Sequence, residues 1–184
     1  LKPILSFLPV QLIIKKSFII LIFIIFLLPQ NNSYSTLFAK NFEDYGLISI
    51  MYHRFDESKY PSTNIQLEVF KEQIKIIEEE NIKFIQPKNF KNSLYQNKNE
   101  RKVLLTIDDG LMSFYKNAWP ILKEKKIPFI LFVNTENVGT YNYMNWEQIL
   151  ELHNSDFVEI GNHSHSHGYL ADENAKKIID DIKT

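Results

Sequence analysis

Val103-Leu104-Leu105-Thr106-Ile107-Asp108-Asp109-Gly110 runs five residues without a charge, three of them β-branched, and then stops at two carboxylates and a glycine. A strand with one face in water would alternate polar and apolar residues. A run without alternation suits a strand covered on both faces, which is the condition inside a parallel sheet flanked by helices. Asp-Gly is a turn dipeptide. Its position after the apolar run places both carboxylates at the carboxyl end of the strand, where parallel α/β sheets bind their ligands. Two neighbouring carboxylates do more than a turn needs: one can face a metal while the other faces a substrate.

Working outward, strand-like and helix-like segments alternate. Apolar runs at 47–52, 83–85, 128–133 and 157–160 are expected strands. Leu67, Phe70, Ile74 and Ile77 recur at helical spacing, with a cap expected near Thr63 or Asn64. Further helices are expected after Pro87, over 113–125 with a kink at Pro120, over 146–153, and from Glu173 onward with Asp172 as cap. Trp119 and Trp146 read as core residues. The fold class is therefore α/β with a parallel sheet, open or closed into a barrel.

The strand at 157–160 runs into Gly161-Asn162-His163-Ser164-His165-Ser166-His167-Gly168. In a helix His163 and His167 would share a face; in an extended segment His163, His165 and His167 would. Spacing alone leaves the ligands open. If neighbouring strands are parallel, Tyr52-His53-Arg54, the Asp108-Asp109 pair and the histidine loop meet on one rim. Imidazole and carboxylate together form the borderline donor set that zinc accepts, and two histidines with one carboxylate leave a coordination position free. His53 stands as a supporting or substrate-facing group only.

The 184 residues suit one domain of ordinary size. With 21 basic and 22 acidic side chains and no basic run, nothing supports nucleic-acid binding. The absence of cysteine excludes disulfides, thiolate metal sites and a cysteine nucleophile. Lys15 and Lys16 precede an uncharged apolar run from Ser17 to Leu28, followed by Pro29 and a polar stretch with small residues at Ser33 and Ser35. Residues 1–35 thus read as a secretory signal or an uncleaved membrane anchor, the only expected membrane contact, and 36–45 as a linker. The expected destination is the periplasm, the cell envelope or the medium.

Thr106-Ile107-Asp108-Asp109-Gly110, then Ala118-Trp119-Pro120-Ile121-Leu122, Ile127 to Val133, and Glu159 to His167 resemble the polysaccharide deacetylase family with the NodB homology domain. Met51-Tyr52-His53-Arg54-Phe55 resembles the opening strand of its poly-N-acetylglucosamine deacetylase-like subgroup. Ile107 stands where the family more often has Phe. The resemblance covers 46–184 and implies a distorted (β/α) barrel of the NodB type, incomplete within this chain. It implies a carbohydrate esterase that removes N- or O-acetyl groups from a glycan such as poly-N-acetylglucosamine, chitooligosaccharide or peptidoglycan. It implies Asp108 as general base toward a metal-bound water, Asp109, His163 and His167 around one divalent ion, usually Zn2+, and Ser164 supporting the loop. The family's later motifs, with an Arg that orients the base and a His that protonates the leaving amine, are expected beyond Thr184. The alternative is a non-catalytic glycan-binding relative, inactive as this piece.

Overall fold

The computed structural model describes residues 46–95 and 100–184. The segments expected as signal or anchor and as linker lie outside the described residues. Among the described residues, no helix is long and apolar enough to cross a membrane.

Strands β1 (Ile48–Tyr52), β5 (Lys102–Ile107), β6 (Phe129–Val133) and β7 (Val158–Asn162) lie side by side in that order, all parallel. The short β4 (Lys83–Phe84) pairs with the first residues of β5. All six residues of β5 are buried, Lys102 at its start along with the uncharged run from Val103 to Ile107. A separate parallel pair, β2 (Arg54–Phe55) with β3 (Asn64–Ile65), was not foreseen from the sequence. Two-residue strands carry too little pattern to be seen.

Among the described residues, five helices accompany this sheet: α1 (Leu67–Glu79), α2 (Phe90–Tyr95), α3 (Trp119–Lys125), α4 (Trp146–His153) and α5 (Ala175–Lys183). Helix α1 buries Phe70, Ile74 and Ile77 as its spacing predicts, but it starts later than expected. Its first free amide, Leu67 N, donates to Asp56 Oδ1 at 2.7 Å, so the capping group comes from another turn. Pro87 opens a 3-10 turn that leads into α2.

The segment 113–125 is helical throughout, as expected, but its pitch changes. A π-helical stretch over Phe114–Ala118 runs directly into α3, with Pro120 just after it, and such a stretch is a common site of bending. Asn174, rather than Asp172, caps α5, accepting from Lys177 N at 3.1 Å. Trp119 is buried, but Trp146 is 57 % exposed. Trp146 sits at the start of α4 on its outer face, while Ile149 and Leu152 turn inward.

Aromatic side chains form the centre of the core. Tyr52 and Phe55 meet Phe70 edge-on at 5.2 and 5.1 Å, and Phe114 and Trp119 meet Phe129 at 5.4 and 5.9 Å. Such geometry adds about 0.5–1.5 kcal/mol per pair beyond burial.

The strand register fixes the rim. Tyr52 lies opposite Ile107, Ile107 opposite Leu131, and Leu131 opposite Ile160. One step further, His53 and Asp108 stand at one level; two steps beyond Ile160 comes Asn162, and then His163. Asp108 N donates to Tyr52 O at 2.9 Å and His163 N to Val133 O at 3.0 Å, so hydrogen bonding continues into both loops.

Candidate metal centre

The turn after β5 places Asp109 and Gly110 in succession in the left-handed region, at φ 75° and 69°. A non-glycine residue is uncommon there, and the tertiary structure must hold it. Met144 N donates to Gly110 O at 2.9 Å and Met112 N to Asn142 O at 2.7 Å, clamping the turn from the segment before α4. Asp109 is 7 % exposed and its Oδ1 has no hydrogen-bond partner. A buried carboxylate oxygen left unpaired is costly unless a ligand meets it.

What faces that oxygen is a pair of imidazoles. His163 Nε2 lies 3.4 Å and His167 Nε2 3.1 Å from Asp109 Oδ1. The ligand atoms of Asp109, His163 and His167 all lie within 4.8 Å of one another. The two rings stand 5.0 Å apart. An orphaned buried oxygen converging with two imidazole nitrogens fits a small divalent cation, and the donor set suits zinc.

The histidine loop is neither helical nor extended, the two conformations considered from spacing. Ser164 and His167 are both left-handed, at φ 64° and 55°, and this turns His163 and His167 to the same side. His165 is turned away, with Nδ1 2.8 Å from Thr135 Oγ1. Ser164 does support the loop: its Oγ accepts from His167 N at 3.0 Å.

Asp108 is buried behind this group, 6 % exposed. Burial pushes its carboxyl above the ordinary value, the nearby Asp109 charge adds to that, and His163, His53 and His167 oppose it. A carboxylate raised in this way is a better proton acceptor than a solvated one. His53 is placed more closely than the sequence alone suggested: its Nε2 is 3.8 Å from Asp108 Oδ2. It sits between β1 and β2, and β2 is tied to the segment after the carboxylate turn through Asn117 Nδ2 to Phe55 O at 2.9 Å. Sequence reading also passed over Tyr143, whose phenol is pushed up by burial and by the Asp109 charge, with Arg54 opposing. A lone tyrosine in a polar loop gives no signal of that neighbour.

A parallel α/β sheet thus carries paired carboxylates and two converging imidazoles on its C-terminal rim, a donor set that could hold one metal ion. Residues 95–184 match the polysaccharide deacetylase family model. The chain is 33% identical over 119 residues to a poly-beta-1,6-N-acetyl-D-glucosamine N-deacetylase of Staphylococcus aureus, covering 60% of this chain and 40% of that protein. The corresponding Staphylococcus epidermidis protein is 29% identical over the same length. Among solved structures, IcaB from Ammonifex degensii superimposes with a TM-score of 0.60 at 30% identity, over 66% of this chain and 54% of that one. The Streptococcus pyogenes deacetylase PplD superimposes with a TM-score of 0.66 at 22% identity, over 74% and 64%, a likeness of fold. Residues 95–184 are thus similar to the polysaccharide deacetylase family, and the described residues share, in part, the α/β fold with a parallel sheet of these deacetylase structures. The chain spans about two fifths of the length of the curated relatives it matches.

Proposed function

We propose that this protein removes acetyl groups from an N-acetylated polysaccharide, with Asp109, His163 and His167 holding one divalent ion, Zn2+ by their chemistry. The observation that carries the reading is Asp109 Oδ1, buried, unpartnered and facing two imidazole nitrogens at 3.4 and 3.1 Å. The relatives' names favour poly-β-1,6-N-acetyl-D-glucosamine, hence an amide rather than an ester bond, over chitooligosaccharide or peptidoglycan. A polymer substrate accords with export, for which the apolar run after Lys15-Lys16 would serve as signal or anchor.

A divalent ion held by Asp109, His163 and His167 would supply Lewis acidity, polarising the acetyl carbonyl and making water acidic enough to react near neutral pH. Asp108, raised by burial and within reach of the same space, takes the proton as the water oxygen bonds to the acetyl carbon. As the carbon–nitrogen bond breaks, the departing amine needs a proton. The proton that Asp108 took from the water meets that need, His53 lies 3.8 Å from Asp108 as a supporting group, and acetate and a free amine leave.

Acetate release from poly-β-1,6-N-acetylglucosamine oligomers tests this. Release is expected to need Zn2+, to stop with EDTA, and to fall about 10²–10⁴-fold in Asp108→Asn. Undiminished release from Asp108→Asn, or from metal-stripped protein, would overturn the reading.

A further inference from the structure

Six consecutive amides run through the histidine loop, and every one has an assigned partner. His163 N donates to Val133 O at 3.0 Å. Ser164 N donates to Asn162 Oδ1 at 2.8 Å, His167 N to Ser164 Oγ at 3.0 Å and Gly168 N to Ser166 Oγ at 3.2 Å. The two central amides go to a single side chain outside the loop. His165 N donates to Asp181 Oδ1 at 2.7 Å, and Ser166 N to both Asp181 oxygens at 3.4 and 3.3 Å. The Ser166 hydroxyl donates to Asp181 Oδ2 as well. One carboxylate thus gathers the middle of a loop whose two ends carry the imidazoles.

The carboxylate belongs to α5, and α5 has no fully buried residue of its own. Its other bond to the strand end is Asn162 Nδ2 to Ile182 O at 3.3 Å. An apolar-lined hollow with Tyr169, Leu170 and Ile182 on its wall separates the helix from His163 and His167. With so little apolar burial, docking of this helix rests largely on the polar clamp.

We infer that Asp181 is a positioning residue for the metal-holding loop, and that through it the docking of α5 and metal occupancy strengthen each other. The inference rests on the metal reading given above. Left-handed Ser164 and His167 flank the two amides that donate to Asp181, so its carboxylate braces the turn between them. A cation that fixes both imidazoles fixes the amides between them, which presents a better-ordered cradle to Asp181. By linkage, a docked α5 favours the metal to the same degree.

The test uses the whole chain stripped of metal, with Zn2+ alone as probe. Zn2+ affinity is read by competition with a chromophoric chelator, and hydrogen exchange is followed over 175–183. Wild type should bind Zn2+ and show slower exchange along α5 on binding. Asp181→Asn should weaken Zn2+ by about 10–100-fold, as loss of a group supporting a ligand does, and abolish the α5 protection. Asp181→Glu should recover part of both, and Asp180→Asn, one residue earlier on the same helix, should change neither. Wild-type affinity in Asp181→Asn, or α5 exchange indifferent to Zn2+ in the wild type, overturns this inference and leaves the metal reading intact. Failure of wild type to bind Zn2+ overturns both.

Discussion

Replacing Gly161 by alanine asks how tightly the wall behind His163 is packed. Gly161 on β7 pairs with Phe132 on β6. A Cβ at 161 would lie 2.5 and 2.6 Å from Phe132 Cδ1 and Cε1 and 3.3 Å from Ile130 Cγ2. Carbon atoms rest about 3.5–4.0 Å apart, so the ring must retreat by about 1 Å. That ring stands 6.2 Å from the His163 imidazole, so its movement disturbs the ligand pair. Overpacking of this kind costs about 1–3 kcal/mol. At roughly 3 °C per kcal/mol for a protein of this size, Tm should fall by about 3–9 °C. Phe132→Leu removes the offending ring atoms, so the double variant should be more stable than the sum of the single effects by about 1–2 kcal/mol. Thermal and urea unfolding of the four proteins measures this. A Gly161→Ala protein as stable as wild type, or strictly additive effects, would refute the packing argument.

Asp109→Asn keeps the shape and tolerates the left-handed backbone, so the protein should fold while losing the metal's stabilising effect. At a hundredfold excess of Zn2+ over its Kd, wild type should gain about 2.7 kcal/mol and the variant close to none in differential scanning calorimetry; equal gains would remove Asp109 from the metal set. Burial pushes the Tyr52 phenol from 10.0 up to about 12. The unfolded chain therefore loses that proton first. Stability from the neutral phenol is complete below pH 10 and drains away as pH rises toward 12. Ultraviolet difference titration against unfolding curves checks this, and a normal titration near 10 contradicts it. Tyr52→Phe should flatten that alkaline loss but cost about 1 kcal/mol at neutral pH, because the Gln73 Oε1 that accepts from the phenol at 2.8 Å is left unpaired.

Strand β5 was legible beforehand because burial on both faces demands an apolar run, and β1 was legible from its apolar run although Ile48 and Met51 are exposed. Where the reading went astray, short-range pattern had been asked to settle a long-range question. The helix over 113–125 was legible from its spacing, but the π-helical stretch over Phe114–Ala118 just before Pro120 was not, because apolar spacing does not report a change of pitch. The cap of α1 came from Asp56, eleven residues before Leu67, beyond any capping motif.

The candidate site divides in the same way. Residue chemistry, an acidic pair closing one apolar strand and imidazoles following another, was enough to point to metal hydrolysis, since few other functions need those groups at two strand ends. Three-dimensional packing decided the rest. Spacing allowed His163, His165 and His167 alike, the family resemblance named His163 and His167, and the left-handed turns at Ser164 and His167 face those two toward Asp109. His53 and Asp181 look like an isolated histidine and a solvated helix charge in the sequence, yet one stands 3.8 Å from Asp108 and the other gathers the loop amides. Period and composition report which face of an element is buried; they carry no information about which distant side chain will meet it, because that depends on register and on backbone turns set by the whole fold.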